Sequence, residues 1–446
     1  MISKTKTGAM KEHDKPALVP KLRFPEFRGA GEWKTETLGS VAKISTEKVG
    51  DNTCIPMSIT SGVGLVSQMD KFGRIIAGSS YANYLLLKKN DFAYNKSATK
   101  EYPEGFIALY SDDELAAVPN SIFTCFRIKG ESPVPQYLNY LFLGNLHGQW
   151  LRNFIEVGAR AHGSLSIEED DLLALPVPLP SGIASVREQR KIADCLSSVD
   201  ELMAAQARKV DALKAHKKGL MQQLFPSEGE IQPRRRFPEF QNTEQWAKKP
   251  FSDLCDIKHG YAFESEFFSS EGDYVLLTPG NFYEQGGYRD RGEKQKYYTG
   301  EIPRDYVLAQ GDMLVAMTEQ ASGLLGSPIL VPESDKFLHN QRLGLVMKKP
   351  GIAWASEFFF HVFNTQPVRT AIHDTASGLK VRHTSPTKIG DVAVSVPTTL
   401  PEQQRIASCL SSLDAMITAE TKKLEALKTL KKGLMQQLFP SPEGIS

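Results

Sequence analysis

Apolar residues recur at alternating intervals of four and three along two stretches of the chain. The first holds Ile192, Leu196, Val199, Met203, Val210, Leu213, Leu220 and Leu224, with Gln206 and Lys217 at polar positions of the same series. The second holds Ile406, Leu410, Leu413, Ile417, Leu424, Leu427, Leu434 and Leu438, with Glu420 and Lys431. That alternation keeps one seam of a helix turned toward a partner helix, so both stretches read as strands of a coiled coil. At 1.5 Å per residue each is on the order of 50 Å long. An amphipathic helix on a domain surface is the simpler alternative, but it needs no such strict register. Ser185-x-x-Glu188 and Thr399-x-x-Glu402 have the form of capping boxes at the two starts. Phe225-Pro226 and Phe439-Pro440 mark the two ends, because a residue before proline is pushed out of the helical region.

The two stretches are copies. KKGLMQQLFPS begins at Lys217 and again at Lys431, and EQRKIADCLSSVDELM from Glu188 returns as EQQRIASCLSSLDAMI from Glu402, in both cases 214 residues later. KLRFPEF (Lys21 to Phe27) followed by Trp33 returns as RRFPEF (Arg235 to Phe240) followed by Trp246. A self-similar chain is read first as an array of units. Two similar halves are most simply related by a pseudo-two-fold axis, which makes the coil antiparallel. An axis between Val210 and Leu213 sets Glu420 against Lys217 and Gln206 against Lys431, whereas a parallel coil sets Lys217 beside Lys431. These four residues are therefore expected to fix the register.

Between the helices the pattern is mixed. Tyr84 to Leu87, Ile122 to Ile128, Ala174 to Pro180, Asp312 to Thr318 and Leu343 to Met347 read as strands bounded by turn residues. Val134 to Phe154 and Trp354 to Thr365 have helical spacing. Weak echoes relate the two regions: LLKKNDFAYNKS around Asp91 parallels VLAQGDMLVAMT around Asp312, and PNSIFTCFRI around Asn120 parallels HNQRLGLVMK around Asn340. The expected fold class is α+β. Two related mixed α/β domains are separated by two long helices that pair as an antiparallel coiled coil, an internal pseudo-two-fold repeat. The expected boundaries are a disordered arm 1–20, a first domain 21–180, a first helix 181–226, a second domain 227–398, a second helix 399–440 and a tail 441–446.

Composition alters this little. The 446 residues are 41% hydrophobic and 24% charged, with a formal net charge of +1. That balance neither supports nor excludes nucleic-acid binding, which needs only a local basic patch. Cys54, Cys125, Cys195, Cys255 and Cys409 form no CxxC pair and are odd in number, which fits a reducing cytoplasm. The first residues lack the apolar core of a secretory signal, and no apolar run approaches a membrane span. No phosphate-binding loop, HExxH, zinc-ligand spacing, GxSxG elbow or Asn-Pro-Pro-aromatic signature is present. PESDK (Pro332 to Lys336) has the wrong acidic spacing for a nuclease core and reads as a polar loop. With no catalytic constellation, what remains is a binding architecture. Domains that diverge while the helices stay nearly identical suggest two different targets and one shared purpose for the helices.

The doubled combination of RFPEF with its tryptophan, a variable domain, the EQ-x-x-IA motif and KKGLMQQLFP resembles the specificity subunit of type I restriction–modification enzymes, over essentially the whole chain from Lys21. The resemblance implies two target recognition domains, each reading one half of an asymmetric bipartite sequence in double-stranded DNA, with the coil setting the unread gap. It implies a non-catalytic, cytoplasmic chain that itself binds no cofactor or metal. Its partners would be two methyltransferase (modification) subunits using S-adenosylmethionine and, in the full complex, two restriction subunits using ATP and Mg2+. One departure is visible: PLPSGIASVREQR before the first helix is longer than the matching TLPEQQR, which bears on the symmetry of the two junctions. A coiled-coil scaffold carrying two protein-binding domains is the competing reading.

Arg, Lys, Asn and Gln in polar loops are the side chains suited to base contacts. In the first domain these are Asn95, Lys96 and Lys100, with Arg160 and His162 in GARAHGS. In the second they are Arg289 and Arg291 in GGYRDRGEK, and Lys380, Arg382 and His383 in SGLKVRHTS. Any one of them taken alone reads more readily as a solvated charge; the paired loops GARAHGS and SGLKVRHTS are the better candidates. Arg190 and Arg405, on outer faces of the helices, are the candidates for partner docking.

Overall fold

The structure is a computed structural model, and it describes residues 18–60, 62–78, 80–155, 165–319, 321, 323–378 and 381–440. Two compact units emerge. One holds Met1–Gln206 with Lys423–Ser446, and the other Ala207–Lys422. Each unit thus takes part of both long helices, which run Ser185–Leu224 and Leu400–Leu438.

In the first unit an antiparallel sheet has the strand order Ala42–Ile44, Phe123–Ile128, Asp91–Asn95, Phe106–Leu109. A second sheet has the order Gly64–Ser67, Ile55–Thr60, Ala116–Val118, Leu85–Leu87. Its middle pair is parallel. A two-stranded ribbon, Lys34–Thr37 with Pro176–Leu179, leads to the helix. The second unit repeats the plan. Its first sheet runs Cys255–His259, Leu343–Lys348, Met313–Ala316, Pro328–Leu330. Its second sheet again holds a parallel pair, Tyr274–Leu276 with Phe337–Leu338, and its ribbon is Ala247–Pro250 with Ala393–Val396.

The sequence echoes have a local cause. Asp91 accepts from the Lys88 amide at 2.8 Å, and Asp312 from the Ala309 amide at 2.8 Å. Each carboxylate closes the turn before its strand, and the residue ahead, Asn90 or Gly311, sits at φ 71° or 84°. Those left-handed positions favour asparagine and glycine. Asn145, at φ 63°, likewise splits the expected Val134 to Phe154 helix into Pro135–Leu143 and Leu146–Leu151.

Each unit packs its sheet and short helices against the long ones. The first core joins Trp33, Tyr137, Ile192 and Leu196 to Leu438 and Phe439. The second joins Trp246, Phe358, Ile406 and Leu410 to Leu224 and Phe225. The chain entry also packs: Leu18 rests on the first core, and its carbonyl accepts from the Trp33 amide at 3.0 Å. The expected disordered arm therefore does not reach 18–20, while 1–17 and the tail 441–446 lie outside the described residues.

The capping boxes do not form. Glu188 accepts from Arg23 Nε and Nη2 at 2.7 and 2.8 Å and from Trp33 Nε1 at 3.3 Å. Glu402 does the same with Arg236 at 2.8 and 2.6 Å and Trp246 at 3.0 Å. A forked guanidinium plus an indole N–H outcompete one backbone amide for a carboxylate. The neighbouring glutamines are also engaged. Gln189 accepts from the Val134 amide at 2.7 Å, and Gln403 from the Ala355 amide at 3.0 Å. The doubled EQ motif is a clamp: the acid grips the RFPEF entrance and the amide holds the loop entering the packed helix.

The seam pairing is antiparallel but in a different register from the one expected. Lys217 pairs with Asp414 at 2.6 Å, Lys431 with Asp200 at 2.7 Å, and Glu420 with Lys209 at 2.9 Å. Lys217 does not meet Glu420, nor Lys431 Gln206. Each seam lysine snorkels to an aspartate flanking the seam, where the carboxylates keep 38–40% of their side-chain exposure. This avoids the desolvation that a fully buried pair would cost.

Candidate nucleic-acid interface

In the second unit one end of the first sheet gathers polar side chains. The Met317 amide donates to Arg342 O at 3.0 Å, which brings the end of the Met313–Ala316 strand to the start of Leu343–Lys348. The loop before the second long helix closes on the same end. Thr384 N donates to Met317 O at 3.0 Å, Glu319 N to Arg382 O at 2.9 Å, and Thr318 Oγ1 meets His383 Nδ1 at 3.2 Å. Gln341 N donates to Tyr261 O at 2.9 Å, adding the strand on the other side. Gln341, Arg342, His383 and Tyr261 are exposed along this rim. The structure thus brings Arg382 and His383 together with Gln341, Arg342 and Tyr261, which the sequence reading missed. For Gln341 and Arg342 the only advance signal was the echo HNQR against PNSI, read as a mark of common fold. Arg382 is partly occupied, since its Nη1 lies 2.9 Å from His373 Nδ1. Lys380 falls outside the described residues.

The first unit has the matching rim. Lys96 N donates to Ile122 O at 2.9 Å, and Leu165 N to Lys96 O at 2.7 Å. Lys96 thus links its strand to its neighbour and to the loop that ends at Leu165, as Met317 does in the other unit. Asn95 Oδ1 accepts from the Ser97 amide at 2.9 Å, so its side chain shapes the turn, and Lys100 is exposed. Arg152 Nε binds buried Glu104 at 2.8 Å and ties down the hairpin that carries Lys96 and Lys100. Arg160 and His162 lie outside the described residues.

Arg289 and Arg291 occupy a separate loop of the second unit, between strands of the smaller sheet. Arg289 stacks over Tyr283, 5.9 Å from the ring centroid. On the long helices Arg190 and Arg405 are both exposed, and Arg405 also has partners within its own unit. Arg405 lies 4.3 Å over the Phe237 ring and 3.1 Å from Glu239. Its counterpart in the repeat is Lys191, which lies over Phe24 and beside Glu26. Among the described residues no group of His, Cys, Asp and Glu is arranged to hold a metal ion, and no helix is long and apolar enough to cross a membrane.

Comparison with known proteins places this geometry. Residues 243–429 match the type I restriction modification DNA specificity domain. The chain is 22% identical over 291 residues to the type I restriction enzyme MjaVIII specificity subunit of Methanocaldococcus jannaschii, covering 64% of this chain and 66% of that protein. It is 26% identical over 198 residues to the EcoBI specificity subunit of Escherichia coli, covering 44% of this chain and 38% of that one. The matched regions thus span less than two thirds of either relative. The fold is similar to the crystal structure of a type I S subunit from M. genitalium, with TM-score 0.57 and 15% identity over 95% of this chain and 100% of that one. It is also similar to a chain from a structural study of complex assembly and conformational transition in the type I system, with TM-score 0.52, 16% identity and 92% and 98% coverage. The family model and both relatives are of type I specificity proteins, and the two solved structures share the fold. Over residues 243–429 the chain is thus similar to the DNA specificity domain of type I restriction–modification enzymes.

Proposed function

We propose that this chain is the non-catalytic DNA-reading subunit of a type I restriction–modification complex in the cytoplasm. Each unit reads one half of a bipartite duplex sequence, through the rim holding Asn95, Lys96 and Lys100 in one and Arg382, His383, Gln341 and Arg342 in the other; Arg160, His162 and Lys380 are further candidates on sequence grounds alone. The observation that carries this is the repetition of one rim, on one sheet plan, in two units that share a pair of long helices. Phosphate contacts would position each rim and base-edge contacts would specify the sequence. The helices dock two methyltransferase subunits, which supply S-adenosylmethionine chemistry, and two restriction subunits use ATP and Mg2+. Adenine methylation requires a flipped base, so this chain leaves the flipping to its partners.

The test is to map methylated adenines in a host with and without this gene. A gapped motif with one adenine in each half is the expected result. A continuous motif, or no change, would contradict the reading. A scaffold that binds only proteins would show no salt-dependent affinity for duplex DNA, whereas this chain in its complex should lose affinity steeply as salt rises.

A further inference from the structure

The loop carrying Arg289 and Arg291 is not a loose surface segment. Two nearly buried amides, Asn281 and Gln295, are bonded to each other, Nδ2 to Oε1, at 3.1 Å. Asn281 Oδ1 accepts from Thr278 N and Oγ1, both at 3.0 Å. Its Nδ2 donates to Arg289 O at 3.4 Å, and Gln295 Oε1 accepts from the Arg291 amide at 3.3 Å. The backbone on either side of Asp290 is thus held from beneath.

The two guanidinium groups are held as well. Arg289 lies over Tyr283, a ring that is itself 52% exposed. Arg291 rests against the backbone at Gly280, where a Cβ would come within 3.0 Å of its Nη1 and 3.1 Å of its Cζ. Neither guanidinium donates to a protein acceptor among the described residues. Two planar forks with unused donors, fixed by stacking and by a stitched backbone, lose little freedom on meeting a ligand.

We propose that the Thr278 to Gln295 loop is a preorganised reading head that recognises guanine in the half-site of the second unit. Arg289 and Arg291 are its specificity-determining residues, and Asn281, Gln295 and Gly280 position them. Guanine presents O6 and N7 as paired acceptors in the major groove, the pattern a guanidinium fork matches with two hydrogen bonds. Among the described residues the first unit shows no pair of arginines held in this way. After its matching strand, Ile55–Thr60, the chain instead exposes Val63, Met69, Phe72, Ile75 and Ile76. The guanine contact proposed here therefore belongs to the half-site of the second unit. This inference rests on the DNA-reading function proposed above.

The experiment uses the full chain assembled with its methyltransferase partner, and a duplex library in which each base pair of the wild-type motif is varied. Arg289→Ala and Arg291→Ala should each lower discrimination at a single G·C pair by roughly five- to 150-fold, the worth of one bidentate contact. The other half-site should stay as selective as in the wild type, which also reports that the complex is intact. Lysine at either position should not restore the preference, because a point charge lacks the fork. Gly280→Ala should relax the same position as Arg291→Ala by a smaller factor, since the atoms nearest its methyl are those of the guanidinium. An unchanged motif in both arginine variants overturns the proposal. So does a uniform loss across all sequences with a shallower salt slope, which would make these residues phosphate contacts. A wild-type complex that selects no bipartite sequence would sink the DNA-reading function, and this inference with it.

Discussion

Tyr140 in the first unit and His361 in the second stand at the same place. Three residues before each, Tyr137 packs on Trp33 and Phe439, and Phe358 packs on Trp246 and Phe225. Beside each runs a lysine–aspartate pair of the coil, Lys431 with Asp200 and Lys217 with Asp414. Tyr140 joins its pair: the hydroxyl donates to Asp200 Oδ2 at 2.8 Å, and Lys431 lies 5.3 Å from the ring centroid. His361 joins nothing, since both ring nitrogens are buried without a hydrogen-bond partner. One scaffold therefore tolerates a satisfied polar contact in one half and an unsatisfied one in the other. The scaffold is held by what the halves share, the clamp at each helix start, and the sites that differ contribute smaller terms.

The largest expected effect follows from breaking that clamp. In Glu402→Ala, Arg236 and Trp246 Nε1 are left buried without their acceptor, and loss of one member of a buried ion pair costs about 3–5 kcal/mol. Glu188→Ala should behave alike, because Arg23 and Glu188 keep only 9% and 1% of their side-chain exposure. Urea denaturation of each variant measures this. A cost under about 1 kcal/mol would mean the clamp only accompanies packing supplied by the cores.

The difference between Tyr140 and His361 can be turned into a measurement. Tyr140→Phe should cost about 1.5–3 kcal/mol, the worth of a hydrogen bond to a charged acceptor. His361→Phe should be neutral or stabilising at pH 7, because it removes two unsatisfied nitrogens and keeps an aromatic ring. Burial, helped by the nearby Lys217 charge, holds the His361 pKa down at about 3. Its folded-state pKa is thus depressed below the unfolded value of about 6.5. The stability it permits is full above about pH 6.5 and is lost as pH falls toward 3, because the unfolded chain takes up a proton that the folded one refuses. Buried His147 and His339, held near 4, add to the same slope. Below pH 6.5 the stability of His361→Phe should therefore fall less steeply than that of the wild type, by about 1.4 kcal/mol per pH unit. Parallel curves would show that the imidazole is hydrated.

What the sequence disclosed and what it hid follow the same division. The seam, the Phe-Pro stops and the strands around Asp91 and Asp312 were legible because periodicity and turn chemistry act over a few residues. Most of the Val134 to Phe154 segment was legible too, but Asn145 also suits a helix surface, and only its left-handed backbone divides the segment. Glu188 and Glu402 were misread because a capping box is a local signal. The arginine and tryptophan that claim these acids lie more than 150 residues away. The contacts of exposed Arg405 were hidden for the same reason, its partners Phe237 and Glu239 being distant in sequence. Gln341 and Arg342 were passed over because nothing local distinguishes a rim residue from a loop residue. It is the pairing of Met317 with Arg342 that puts them beside His383.

The smallest effect tests the register of the coil. Lys217 and Asp414 keep 17% and 40% of their side-chain exposure, so screening limits their coupling to about 0.2–1 kcal/mol. A double-mutant cycle with Lys217→Met and Asp414→Asn isolates that term from the packing of the lysine stem. A matching cycle with Lys217→Met and Glu420→Gln should give no coupling, because Glu420 is held by Lys209. If the couplings came out the other way round, the coil would sit in the register with Glu420 opposite Lys217. The repeated counterpart, Lys431 with Asp200, supplies a control that Tyr140 modifies. Its hydroxyl also binds Asp200, so the Lys431–Asp200 coupling should change when Tyr140 is phenylalanine, whereas the Lys217–Asp414 coupling should be indifferent to the residue at position 361.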